Sequence, residues 1–560
     1  MAKLDPLFFE ALTLWLGSLN ARRVTWGLVA GFTVWILLDV FVLHVTSGMA
    51  RSSYDAMVRG RVLAAAPDPR MVIVDIDEAS LARMGKEFGR WPWPRDTLAT
   101  VLDFVEKQQP AAVVWDIVFS DADVLSPGGD KAFDAAVARS AHSHFAVVRL
   151  PPANDKASQL TRQQLPGLWS TGSSGTPASS VAMIAPVLPA VAASRLGFNN
   201  GYPDGDGMLR RYRHQEVLPD GSRIQSLASS VAGSVLVGGT GTSAAAASTS
   251  DELIAWRKKS QAYPRVSFAD VFAVAEGETS TGKIPSFGGK IILIGSTAPS
   301  LHDIHPTPLS PLQPGVETLA TVIDNAINQR KLAELPDWFQ AAFAIAMCMG
   351  IAWWVQARGI DSLGTALVAL PATLVVISFA SLNLMPFFLD LNLPAGLALL
   401  FLGALRYWNG LRQQYWLKPP ASGRTALMLL PLWCSKPWKG EVLDRLISAL
   451  ESRAPSCRVL VSDASGNLRW PELAGYAAIV GPHDVLSAAL DAIKADLGPG
   501  IDPVFGTPVA MGAAADRSTL VQSSMTAWAE LKALPQKIAL AVAGVAAPIQ
   551  EKTSPERPSP

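Results

Sequence analysis

Three apolar runs follow one another between Phe339 and Leu405, and they constrain this chain more than any other feature. They are Phe339–Ala357, FQAAFAIAMCMGIAWWVQA; Ser362–Leu382, SLGTALVALPATLVVISFASL; and Phe387–Leu405, FFLDLNLPAGLALLFLGAL. Only Arg358–Asp361 and Asn383–Pro386 separate them. A further run, Trp26–Thr46, reads WGLVAGFTVWILLDVFVLHVT with a single Asp. A helix needs about 20 apolar residues to cross roughly 30 Å of hydrocarbon. One such run alone could be a buried core helix, but three in succession are not accommodated in a soluble fold. The expectation is one span near Trp26–Thr46 and three near Trp338–Tyr407. Composition agrees: charged residues make up 17%, against about 25% in soluble domains. Lys+Arg and Asp+Glu are both 47, so net charge draws the chain toward neither nucleic acid nor acidic partners. Gly48-Met49-Ala50 could serve as a cleavage site, but the preceding run exceeds the usual 7–15 residues of a signal core, so an uncleaved anchor is expected.

Orientation follows from basic flanks. Lys3, Arg22 and Arg23 precede the first run, and Arg406, Arg412, Lys418 and Arg424 follow the last. Four spans put both termini on one side, the cytoplasmic side of an inner (plasma) membrane. Arg51, Arg59 and Arg61 run against the rule, but they belong to a long translocated segment, where it is weaker. The expected organisation is a cytoplasmic tail (1–23), a transmembrane helix (24–46), an extracytoplasmic domain (47–336), three transmembrane helices (337–407), a linker (408–423), a small cytoplasmic α/β domain (424–546) and a disordered tail (547–560). The cysteines are Cys348, Cys434 and Cys457. Segment 47–336 has none, so it has no internal disulfide and needs its own core.

That segment reads as α/β. Met71–Asp77 and Ala111–Phe119 are short apolar runs suited to buried strands. Between them, Leu98, Val101, Leu102 and Val105 recur at helical spacing, so a parallel βαβ unit is expected. A helix over Ala132–Ser140, strands at His144–Leu150 and Lys290–Ile294, and a helix over Gly315–Asn328 follow. Trp169–Ser180 and Gly238–Asp251 are rich in small and polar residues and read as surface loops. In order along the segment stand Tyr54-Asp55 with Arg59 and Arg61, VIVDIDEASL, GRWPWPR, VVWDIVFSD, PDGDGMLRR, IILIGSTAP and HPTPLSPLQPGVETLATVIDNAI. Together these resemble a CHASE domain of the second type, from about Tyr54 to Leu332, including the layout of one span before and three after. The resemblance implies a multi-domain membrane protein with an extracytoplasmic α/β sensory domain that detects a ligand or stress. Family members often end in an adenylate cyclase, a histidine kinase or a Ser/Thr kinase.

Asp75, Asp77, Asp116 and Asp121 fall near the ends of the first two strands, where open α/β sheets bind ligands. They are candidates for a cation or ligand pocket; the alternative is that they cap helices or pair with Arg90 and Arg95. Asp204-Gly205-Asp206-Gly207 lacks the carboxylate at the twelfth position of an EF-hand loop, where Gln215 stands, and reads as a glycine-rich turn. His302-Asp303-Ile304-His305 offers metal donors without an evident third ligand and reads as a solvated loop. Asp39 and His44 lie inside the first span, where ionisable groups are costly and point to function, such as a contact of Asp39 with a polar group on another span; the alternative is a tolerated residue facing the outer boundary.

In the cytoplasmic part, strands at Thr425–Leu432, Cys457–Ser462 and Tyr476–Val480 alternate with helices at Gly440–Ser452 and His483–Leu497. Ser518–Ala546 reads as helix broken at Pro535. No paired metal-binding Asp of a cyclase, no kinase loop set and no hydrolase constellation is present. Asp463 follows a strand without the acidic pair and Lys of a phospho-acceptor. No catalytic residue, metal site or cofactor is expected. The favoured reading is a receptor, expected to be a homodimer, with an extracytoplasmic ligand and a cytoplasmic protein partner; the competing one is a receptor enzyme with a diverged output domain. The late helix ends about ten residues before the second span, which suggests a stiff junction.

Overall fold

The computed structural model describes residues 6–124, 126–170, 180–237, 251–279, 282–358, 364–418, 426–461, 475–512 and 517–532. Most of the two expected loops, Asp463 and the C-terminal tail lie outside them. The chain forms two compact units: Val45–Asp337 with Val375–Asn392, and Met1–His44 with Trp338–Leu374 and Leu393–Pro560.

The first unit is built on a mostly parallel sheet. Its strands are β1 (Met71–Ile76), β2 (Ala112–Trp115), β3 (Ser143–Arg149), β4 (Met183–Ile184), β5 (Arg195–Phe198), β6 (Arg265–Ser267) and β7 (Ile291–Ser296). The order is β6-β1-β7-β2-β3-β5, all parallel, with β4 antiparallel to the end of β3. β1 is buried throughout, as a strand covered on both faces must be. Alternation along it decides the layers. Val72, Val74 and Ile76 pack under α4 (Glu78–Phe88), α5 (Arg95–Glu106), α6 (Pro127–Arg139) and α9 (Phe268–Ala275). Met71 and Ile73 pack under α3 (Ser47–Arg59), α8 (Leu227–Val237) and α10 (Gly315–Ile327). A single-turn helix, α7 (Pro189–Ala193), precedes β5. The helically spaced Leu98, Val101, Leu102 and Val105 are all buried on α5, each stabilising the fold by roughly 1.5–3 kcal/mol. Trp115 stacks on Phe145 and meets Phe133 edge-on at 5.2 Å.

Two short strands belong to the same unit: β8 (Ala333–Glu334) pairs in parallel with β9 (Phe387–Phe388). Phe387–Leu391, expected as the start of a span, is therefore not helical. Asp390 explains the start that follows: it accepts from Asn392 N at 3.0 Å and Asn392 Nδ2 at 2.7 Å, a turn that launches the next helix.

The second unit holds α1 (Pro6–Ser18), α2 (Ala21–Leu38, continued by a π-turn to Leu43), α11 (Asp337–Arg358), the start of α12 (Ala366–Leu384) and α13 (Asn392–Leu417). Among the described residues, three helices are long and apolar enough to cross a membrane: Ala21–Leu43, Asp337–Arg358 and Ala366–Leu384. Four were expected. The apolar part of α13, Leu393–Leu405, spans only about 20 Å before Arg406. One cluster joins Val29, Cys348, Ile351, Ala352, Phe401, Leu402 and Leu405; another joins Ile36, Ala341, Ala344, Leu393 and Leu397. Hence α2 runs antiparallel to both α11 and α13. Helix α13 continues through Leu417, so Leu411–Leu417 are its last turns rather than the linker expected there.

Five strands follow: β10 (Leu427–Trp433), β11 (Arg458–Val461), β12 (Tyr476–Pro482), β13 (Val504–Phe505) and β14 (Val509–Met511). They form an antiparallel sheet ordered β11-β12-β10-β13, with β14 also along β10. With α14 (Gly440–Arg453) and α15 (His483–Ile501), the order is β-α-β-β-α-β with the first strand central, the ferredoxin-like arrangement. Met428, Leu430 and Leu432 face α14 and α15, while Leu427, Leu429 and Trp433 face α16 (Arg517–Lys532).

Candidate functional site at the carboxyl edge of the parallel sheet

Strand parity places Asp75 and Asp116 on the α10 face at the carboxyl ends of β1 and β2, with Gly295 of β7 between them. Asp75 is buried. It accepts from Thr297 N at 3.0 Å and Thr297 Oγ1 at 2.7 Å, and Arg265 Nη1 lies 3.6 Å away. Burial pushes its pKa up, and Thr297 and Arg265 oppose the rise. Arg265 also donates from Nε to Glu317 Oε1 at 2.9 Å. Glu317, in the first turn of α10, is fully buried. Asp75 thus belongs to a closed polar set in which each charge has a partner.

Asp116 differs. Its Oδ1 accepts from Asn199 Nδ2 at 2.7 Å, while Oδ2 is buried with no hydrogen-bond partner among the described residues. Burial, then the nearby Asp303 carboxylate, lift its pKa to about 8, and the single bond from Asn199 only partly opposes the rise. Asp303 is half-buried, 3.6 Å from His305 Nε2, and its own pKa is raised by desolvation. Two glycines make room. A Cβ on Gly295 would stand 3.0 Å from Asp116 Cβ and 2.9 Å from Val316 Cγ2, and one on Gly315 would stand 2.4 Å from Asp303 Oδ1. The edge therefore presents Asp116 and Asp303 near the first turn of α10, able to accept from a donor-bearing ligand.

The other two predicted residues lie apart. Asp77 caps α4, accepting from Ser80 N at 2.7 Å. Asp121 is exposed; its carboxylate accepts from Ser120 Oγ at 2.8 Å, and its backbone oxygen accepts from Arg95. Among the described residues, no group of three or more His, Cys, Asp or Glu is arranged to hold a metal. Asn199, Thr297, Arg265 and Glu317 went unseen in the sequence. Thr297 stood in the IILIGSTAP motif, but nothing there marked its partner.

The Asp204–Gly207 turn also has a defined role. Gly207 takes φ +83°, and the turn's carboxylates close on Arg210. Arg210, 2% exposed, donates to Asp204 Oδ2 at 2.8 Å and to Asp206 Oδ1 and Oδ2 at 2.9 and 2.8 Å. It also grips Asp55 of α3 at 2.8 and 2.7 Å. The next residue, Arg211, holds Glu334 of β8 through two bonds of 2.8 Å. Two consecutive arginines thus join the segment that follows α2 to the segment that precedes α11. Ser53 Oγ donates to Asn392 Oδ1 at 2.8 Å, and Val62 N and Leu63 N donate to Asn383 Oδ1 at 3.0 and 3.1 Å.

The sequence profile of the family described as the CHASE2 domain matches residues 29–354, more than half of the chain, from within α2 to within α11. No curated protein and no solved structure matches.

Proposed function

Because the chain belongs to the CHASE2 domain family, we propose that it is a transmembrane sensory receptor relaying an extracytoplasmic signal to a cytoplasmic protein partner. CHASE2 is an extracellular sensory domain, which supports the sensory role. In this reading α2, α11 and α12 cross the bilayer in alternating directions, α13 with its shorter apolar part returns the chain to the cytoplasmic side, both termini are cytoplasmic, and the ferredoxin-like domain is the output. The antiparallel packing of α2 against α11 and α13 supports the alternation. The signal acts at the Asp116–Asp303 edge, and α10, buried along its whole length, carries it toward β8.

The Arg210–Arg211 clamp is the observation that carries the proposal. It ties both chain passages flanking the sheet to one rigid turn, so a change in the domain reaches both together rather than being absorbed by a loose tether. The stiff junction expected before the second span is thus a strapped one: Leu332 bridges to Leu253 and β8 pairs with β9. A receptor of this kind needs a two-state element that both ends bias, and a homodimer supplies it.

Reporter fusions at Ser250 and Arg424 test the topology. Extracytoplasmic activity at Ser250 and cytoplasmic activity at Arg424 are expected, and the reverse at either site refutes it. A partner pull-down with the cytoplasmic domain, run beside a nucleotide-turnover assay, tests the output; turnover without a captured partner would favour a receptor enzyme.

A further inference from the structure

A cavity of about 490 Å³ lies in the second unit, between the start of α2, the end of α11, α13 and α14. That is within the roughly 300–1,000 Å³ of small-ligand sites, and the relay proposed above does not use it. Its acidic lining is already paired. Glu441 accepts from Arg445 at 2.7 Å, Asp444 from Asn409 at 3.2 Å and Gln413 at 3.0 Å, Glu451 from Arg412 Nε at 2.5 Å, and Asp496 from Arg453 at 3.0 Å. Arg22 and Arg358 line the same cavity. Among the described residues neither has a carboxylate at ion-pair distance; Arg358 lies over the Trp354 ring at 4.5 Å. The lining holds four arginines and four carboxylates; the two arginines with no carboxylate partner among the described residues, Arg22 and Arg358, sit on the ends of two apolar helices. Exposed Trp26, Trp353, Trp354 and Tyr407 stand on the turns of α2, α11 and α13 beside it. Such amphipathic rings settle at headgroup depth.

We propose that this cavity binds the phosphate-bearing headgroup of an anionic phospholipid, with Arg22 and Arg358 on the phosphate and the acyl chains along α2 and α11. Basic pockets between membrane helices on the cytoplasmic side take such headgroups, and the planar guanidinium matches phosphate in a two-pronged contact. The proposal rests on the reading that α2 and α11 cross the bilayer.

The test uses the full chain purified in detergent, with native mass spectrometry after addition of phosphatidylglycerol or phosphatidylcholine in equal amounts. Each basic residue near an anionic surface contributes about fivefold, so two give on the order of 30-fold preference for phosphatidylglycerol. The Arg22→Gln/Arg358→Gln variant should lose that preference, and Arg23→Gln, outside the cavity, should keep it; both arginines of the double variant are exposed, and gel filtration checks that it remains folded. Equal retention of the two lipids by the wild type, or an undiminished preference in the double variant, overturns the proposal. Saturation by millimolar inorganic phosphate without retained phosphatidylglycerol would assign the cavity to a soluble anion and overturn the lipid. Reporter fusions that place Arg22 outside would instead refute the topology, a separate result.

Discussion

Arg210 and Arg211 are adjacent and each holds carboxylates, yet their removal should have very different consequences. Arg210 is 2% exposed and makes five hydrogen bonds to Asp55, Asp204 and Asp206. Asp55 is 8% exposed at its side chain. Replacing Arg210 by Met keeps the volume and removes the charge, leaving Asp55 buried without a counter-ion. Breaking a buried pair from one side costs about 3–5 kcal/mol, and at roughly 2–4 °C per kcal/mol for a domain of this size that is a fall of about 6–20 °C in Tm. Arg211 and Glu334 are 28% and 37% exposed, in the range where an ion pair contributes about 1 kcal/mol or less. Arg211→Ala should lower Tm by only about 2–4 °C. Adding Asp55→Asn to Arg210→Met should recover part of the loss, because the orphaned charge is then gone. Thermal melts of the purified full chain, followed by tryptophan fluorescence, check all three. A Tm loss in Arg210→Met no larger than in Arg211→Ala refutes the argument that burial, rather than pairing, sets the strength of this clamp.

Asp116 should make the protein less stable as pH rises. Its folded pKa, about 8, exceeds the usual carboxylate value, so the unfolded chain releases the proton first and stability falls up to about pH 8. The window from about pH 7.5 to 8.5 reads this effect, because it lies above the ordinary histidine value of about 6.5, near which the unfolded counterpart of the buried, neutral His144 titrates; the wild-type Tm should drop across it, and a flat profile in Asp116→Asn with an unchanged fold is expected. Asp77→Ala should cost about 1 kcal/mol by uncapping α4, whereas Asp121→Ala should stay within roughly 0.5 kcal/mol; equal losses in urea unfolding would contradict the assigned roles. Gly295→Ala inserts a methyl 2.9 Å from Val316 Cγ2 and should cost about 1–3 kcal/mol, read as a shift in the urea midpoint.

The strands and helices of the sheet were legible because burial on both faces writes continuous apolar runs, as in MVIVDI, and burial on one face writes helical spacing, as in TLATVLDFVE. The carboxylates at strand ends were legible as candidates, but not their fates. Asp77 and Asp75 are two residues apart and share a parity, yet the strand ends at Ile76 and Asp77 turns to cap α4. Asp116 finds Asn199 across 83 positions, a pairing set by the order of strands, which local pattern does not contain. The arginine pair was visible as a motif, while Asp55 and Glu334 became its partners only through the fold. At the membrane-proximal segments, hydropathy overran the helix: Phe387–Leu391 is apolar enough for a span, but Asp390 and Asn392 impose a turn first.

The unbroken α13 leaves no torsional slack between the apolar bundle and the ferredoxin-like domain. Asn409, Arg412 and Gln413 on its polar end lock onto Asp444, Ser448 and Glu451 of α14, and Trp416 is set in the domain's core. Helix and domain therefore behave as one lever. Any turn of the helix about its axis becomes the same angular turn of the whole domain, and a slide along the axis becomes an equal displacement. In such a device phase matters more than distance: each residue gained or lost in α13 before Asn409 re-aims the domain by about 100°, so the length of that helix sets the direction in which the domain's exposed faces point.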